Sequence, residues 1–170
     1  MLTMSPDHSD ERWFAMRVFN NRILRIQAEL ESLGARTYKT AIVPSLLFVR
    51  WTPDRLLDFK QSHFTDLMLY RKADKAEPAP IDEREMQMFI LVTSALGGQE
   101  VEFAGEHYDF KPGERVRVTE GPFKGAEGVI RRIKKDRKLL IAVSGVVVVA
   151  VSHIPGQFLE RIAAPSKESQ

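Results

Sequence analysis

Two hydrophobic periods alternate along the first half of the chain. Arg12 to Phe19 (RWFAMRVF) is rich in aromatic and branched residues and reads as a strand. In NRILRIQAELESLG the apolar residues Ile23, Ile26, Leu30 and Leu33 recur at helical spacing, Asn20 or Asn21 can cap the start, and Gly34 marks the stop. Thr37 to Val43 predicts a second strand, broken by Pro44. Leu46 to Trp51 (LLFVRW) is apolar on both faces, so both are covered, by the protein's own helices or by a partner. Pro53 and Asp54 open a short helix, Asp66 to Arg71 predicts a fourth strand, and KADKAEPAP is a polar loop. Ile81 to Ala95 predicts a second long helix, with Asp82, Glu83 and Glu85 at its positive end and Met86, Phe89, Ile90 and Thr93 on its buried face. The order β-α-β-β-α-β-α predicts an α+β fold: an antiparallel sheet with flanking helices.

The pattern changes after SALGGQ (Ser94–Gln99), which is small and flexible and marks a boundary. Glu100 to Ala104 can form a short strand within a linker. Five short β-rich runs follow: Arg115–Thr119, Gly128–Ile133, Leu139–Ser144, Val146–Val151 and Phe158–Ile162. Such spacing predicts a small five-stranded β-barrel. The uncharged run VVVVAV has to sit inside a closed sheet, because an exposed one would aggregate. The expected organisation is a tail over 1–11, an α/β domain over 12–97, a linker over 98–109, a barrel over 110–163 and a tail over 164–170.

The stretch Gly113–Ile130, GERVRVTEGPFKGAEGVI, carries the densest signal. Val116 and Val118 alternate with Arg115, Arg117 and Thr119, the period of a half-buried strand. In GPFKG, Pro122 pre-sets φ for a turn, and Gly121 and Gly125 can take positive φ. Phe123 and Lys124 fall at the tip, displayed to a partner. Gly128, inside the next apolar run, suggests a bulge or a sharp bend.

This stretch resembles the KOW motif of NusG-type transcription factors and some ribosomal proteins: a strand, a G-P-F-K-G-like turn, a spaced glycine and an apolar pair. The first half resembles the NusG N-terminal (NGN) domain through its W-F-x-x-R-V strand, its amphipathic helix and V-P-S-L-L-F-V-R. The likeness covers about residues 12–163 and is closest to the specialised antiterminators of the UpxY and RfaH kind. It implies an SH3-like barrel and a transcription elongation or antitermination factor that reduces pausing or termination. It also implies binding to the clamp helices of the RNA polymerase β′ subunit and to the β subunit, with non-template DNA or nascent RNA as a further contact. The KOW domain would recruit Rho or a ribosomal small-subunit protein. By position in the motif, Val43, Leu46, Phe48, Leu67 and Met86 would line the polymerase-binding depression; plain core is the competing account of each. Asn20, Asn21 and Arg22 would approach DNA. Nine residues separate Gly34 from Pro44, where the family usually has a longer basic hairpin. One NusG-like group has an all-α KOW region; Val, Ile and Gly here disfavour that and predict strands.

Composition narrows the picture further. Of 170 residues 44% are apolar, enough for a core, and the net charge is +2 with a pI near 8.9. Without cysteine there is no disulfide, thiolate metal site or thiol nucleophile, which fits a cytoplasmic protein, and a monomer is expected. The sequence has no run long enough for a membrane helix, and its polar N-terminus is not a signal peptide. His8, His63, His107 and His153 are not at metal-ligand spacing, and no phosphate loop, nucleophile elbow or dinucleotide fingerprint occurs. An enzyme, a cofactor and a metal are therefore not expected. RRIKKDRK (Arg131–Lys138) holds six basic residues and one acid between two strands. Arg131, Arg132, Lys134 and Lys135, with Lys124, could attract nucleic acid, and Phe123 could stack on a base or fold back on its own barrel. The competing account is a solvated hairpin that protects a sheet edge. The alternative function is a KOW-type RNA-binding protein linked to ribosome assembly or translation.

Overall fold

The computed structural model describes residues 10–63, 65–95, 101–105, 114–133, 136–152 and 154–163. The expected tails lie largely outside these residues. The chain divides into two compact units, Met1–Glu83 and Arg84–Gln170.

The first unit is built on a four-stranded antiparallel sheet in the order β2-β3-β1-β4. The strands are β1 (Arg12–Val18), β2 (Arg36–Lys39), β3 (Leu46–Trp51) and β4 (Leu67–Leu69), with helices α1 (Ile23–Ser32) and α2 (Pro53–Ser62) between them. Alternation along β1 and β3 assigns the faces. Phe14, Met16 and Val18 join Leu47, Val49 and Trp51 on one side, and Ile26 and Leu30 of α1 with Leu56 and Phe59 of α2 pack onto them. Burial of such side chains contributes roughly 1.5–3 kcal/mol each. The opposite face carries Trp13, Ala15, Leu46 and Phe48, all buried, flanked by Arg17 and Arg50. Arg17 donates to the Tyr70 hydroxyl at 3.1 Å and Arg50 pairs with Glu83 at 2.7 Å. Both faces are therefore covered, as LLFVRW predicts.

Two local expectations are corrected. The second strand ends at Lys39, and residues 41–45 form turns in which the Val43 N–H donates to the Thr40 carbonyl. Neither asparagine caps α1: Asn20 and Asn21 have φ of 59° and 56°, and the cap position is Arg22, with no side-chain hydrogen bond. Asparagine tolerates the left-handed region, and here it turns the chain instead of ending a helix. By contrast α2 is capped, with the Thr52 hydroxyl accepting from the Arg55 N–H and Pro53 in the first turn.

The second unit begins with most of α3 (Glu83–Ser94) and continues through β5 (Val101–Gly105), β6 (Glu114–Val118), β7 (Glu127–Ile133), β8 (Asp136–Val143), β9 (Val147–Val151) and β10 (Leu159–Arg161). The sheet runs β10-β6-β7-β8-β9-β5, antiparallel throughout. The five expected strands are all present. The segment expected as a linker supplies a sixth, because Val101–Gly105 pairs with β9. The valine-rich β9 is interior and wholly buried. The sheet curls: Leu159 from one end lines the same hollow as Leu139 of β8 and Val151 of β9.

The compact units part at Glu83, whereas the sequence suggests a boundary at 97. Among the described residues, several contacts tie α3 to the second unit's strands and turns. Arg84 pairs with Glu127 at 2.5 Å, Glu85 accepts from the Ser144 N–H at 3.0 Å, and the Glu127 N–H points at the Met88 sulfur at 3.4 Å.

Candidate interaction surfaces

The GPFKG turn joins β6 to β7. The Gly125 N–H donates to the Val118 carbonyl at 2.8 Å and the Val118 N–H to the Ala126 carbonyl at 2.9 Å. Gly121 and Gly125 sit at φ of +89° and +93°, which a side chain would strain. Gly128 serves a different purpose. The β6–β7 register passes through it without a shift, so it is not a bulge. A Cβ there would lie 2.3 Å from the Leu140 carbonyl oxygen and 2.8 Å from Ile141 Cδ1. The glycine lets two backbones approach. Phe123 is buried at 6% exposure and so is not displayed at the tip, which corrects that expectation; Lys124 is exposed there.

Glu127 anchors the turn electrostatically. Its side chain is 7% exposed and pairs with both Arg84 and Arg117. The hydrogen bond from Arg84, then that from Arg117, holds its carboxyl below the usual carboxylate value of 4.5 against the opposing effect of burial.

The β7–β8 hairpin carries the basic run. Arg131 stands opposite Lys138 and Arg132 opposite Arg137. Arg132 is exposed, Arg131 half-buried, and Lys138 pairs with Glu102 of β5. Lys134 and Lys135 lie outside the described residues.

The five apolar residues expected to form one depression are neither on one face nor all in the first unit. Leu46 and Phe48 share a face, 1% and 0% exposed. Leu67 is in the helix-backed core of the other face, opposite Val18. Strand alternation is the reason: Val18 and Leu67 are a cross-strand pair, and Val18 points to α1. Val43 is half-buried in the turn before β3, and Met86 is buried on α3 of the second unit. Asn20, Asn21 and Arg22 are exposed together, closed by the Arg22 N–H on the Phe19 carbonyl at 3.2 Å, with Arg22 paired to Asp66 at 3.1 Å. Phe19 and Met68, exposed near this turn, carry no signal in the sequence pattern.

Among the described residues no group of three or more His, Cys, Asp or Glu could hold a metal, and no helix is long and apolar enough to cross a membrane.

Comparison with known proteins agrees with this geometry. Residues 112–149 match the KOW motif. A transcription termination/antitermination protein NusG from Borreliella burgdorferi is 38% identical over 63 residues, which is 37% of this chain and 33% of that protein. The match thus spans about a third of the length of that curated relative. Among solved structures, one described as domain interaction in Thermotoga maritima NusG superposes with a TM-score of 0.50 at 18% identity, covering 92% of this chain and all of that one. A chain of an MjSpt4:Spt5 complex reaches a TM-score of 0.33 at 14% identity, too low to carry an argument. Motif, relative and fold support one assignment: this chain resembles NusG, an NGN-like α/β unit followed by a KOW-bearing β-sheet.

Proposed function

We propose that this chain is a transcription elongation or antitermination factor, acting by binding RNA polymerase and not by chemistry. One observation carries the reading: an α/β unit precedes a sheet that carries the KOW motif over residues 112–149, in which Gly121 and Gly125 take positive φ and Gly128 lets two backbones approach. The NusG relative, named for termination and antitermination, supports the class. The finer reading places it with the specialised UpxY- and RfaH-like paralogues in the cytoplasm. Its first unit would grip the β′ clamp helices and reach the β subunit. Its second unit would recruit Rho or a ribosomal small-subunit protein.

The polymerase surface we favour is the edge of the β3 face, with Val43 at its margin and Leu46 and Phe48 behind it. Met86 remains a candidate, and Leu67 serves the core on the other face. Because Leu46 and Phe48 are fully buried, polar replacement there would damage the fold itself. Val43 is the better probe. Asn20, Asn21 and Arg22 form the exposed turn proposed to approach non-template DNA, while the basic hairpin and Lys124 face nucleic acid from the second unit.

The test is single-round transcription by purified RNA polymerase across a pause site and a terminator. Adding the chain should shorten the pause or raise readthrough, and the chain should co-elute with polymerase. Val43→Glu should weaken that association about tenfold, the scale of one buried interface contact. No co-elution and no kinetic effect, with ribosomal RNA recovered instead, would establish the ribosome-assembly alternative.

A further inference from the structure

We propose that β5 is a guard strand laid along an adhesive edge, and that the outer edge of β9 beneath it is a docking site for the β9 edge of a second copy of this chain. The polymerase reading is independent of this and stands or falls without it.

β9 is VVVAV, with every residue buried and no charge, proline or glycine. A strand of that composition with an unpaired edge recruits other chains. The two ends of the sheet are protected in different ways. At one end β10 is blunted by its own residues, with Glu160 and Arg161 exposed. At the other end β9 has no such device, and β5 supplies it. β5 is five residues long, carries the exposed Glu102 and shifts register between Phe103 and Gly105. Shortness, an exposed charge and a bulge are the features that keep an edge from pairing further.

β5 is also lightly held. Val101 is its one buried residue, Ala104 is half-buried against the cluster of Leu140, Val148 and Ala150, and Phe103 is exposed. Glu102 pairs with Lys138 of β8, but more than half of the glutamate side chain is exposed, and a pair so placed contributes little. A strand with few buried contacts opens locally while the rest of the fold persists. Once β5 lifts, β9 presents a free row of N–H and C=O groups. A second β9 fits that row by two-fold symmetry. Antiparallel pairing centred on Val149 sets Val147 against Val151 and Val148 against Ala150. Apolar then meets apolar at every rung, and no charge opposes the pair.

The experiment uses the full chain and two variants. Val101→Asp charges the buried anchor of β5. Glu102→Lys, at an exposed position, sets a cation beside Lys138 and leaves the core untouched. Sedimentation velocity from ~1 to ~100 µM covers the range in which free strand edges associate. The parent should stay at the 19.4 kDa of one chain, and both variants should approach twice that mass as concentration rises. Hydrogen exchange locates the contact. In the parent, β5 amides should exchange at least about tenfold faster than those of β7. In the variants, β9 amides should be open at the low concentration and protected at the high one. Protection of β7 in each sample shows that the chain is folded. A parent that dimerises, either variant folded yet monomeric, β5 amides as slow as those of β7, or a dimer whose β9 amides stay open would overturn the proposal.

Discussion

Gly128→Ala isolates the close approach of two interior strands. The new methyl would stand 2.3 Å from the Leu140 carbonyl oxygen, where ordinary contact begins at 3.4 Å, so β7 and β8 must part by about 1 Å. The obstacle is backbone and cannot rotate away. Overpacking of this kind costs about 1–3 kcal/mol, and one weakened ladder hydrogen bond adds about 1. Stiffening of the unfolded chain returns roughly 0.4–1 kcal/mol. The net loss should be about 2 kcal/mol, a large part of the ~5–15 kcal/mol typical of a domain. Two further glycines separate space from conformation. Gly145 has φ of +76° and open space, so alanine there should cost about 1–2 kcal/mol. Gly156 has open space and no left-handed φ, so alanine should be neutral or slightly stabilising. Urea denaturation followed by far-UV circular dichroism measures all three. Trp13 and Trp51 both lie in the first unit, so their fluorescence tracks that unit alone. A Gly128→Ala protein as stable as the parent, or more stable than Gly145→Ala, would refute the steric account.

Two other outcomes follow from the same structure. The Glu127 carboxyl is depressed, so the stability it confers is present above the unfolded value near 4.5 and is lost as pH falls below it; Glu127→Gln should flatten the acid limb of a stability–pH curve. Phe48→Ala, at a residue with no exposure, should cost about 3–5 kcal/mol in the tryptophan-monitored transition, and a cost under 1 would show that this face is loosely covered.

Much of the fold was legible because its signals are local. Helical spacing placed α1 and α3, apolar and β-branched runs placed β1, β3 and β7 to β9, alternation placed β6, and Pro53 with Asp54 placed the start of α2. The surfaces were less legible. Leu46 and Leu67 look alike in sequence, yet pairing of Leu67 with Val18 puts them on opposite sides of the sheet. Asn20 and Asn21 could cap a helix or turn a strand, and only the backbone path chose the turn.

The sequence by itself determined the two periodicities, the change of composition between the halves and the turn built on Gly121 and Gly125. These depend on neighbours a few residues apart and on φ, which each residue type carries with it. The tertiary structure alone decided that Phe123 is buried, that Val101–Gly105 joins the sheet and that Gly128 clears a path for Leu140. It also decided that cation stands opposite cation on two rungs of the β7–β8 hairpin. Each of these depends on which distant segment lies alongside, and an apolar or charged residue is written the same way whatever comes to meet it.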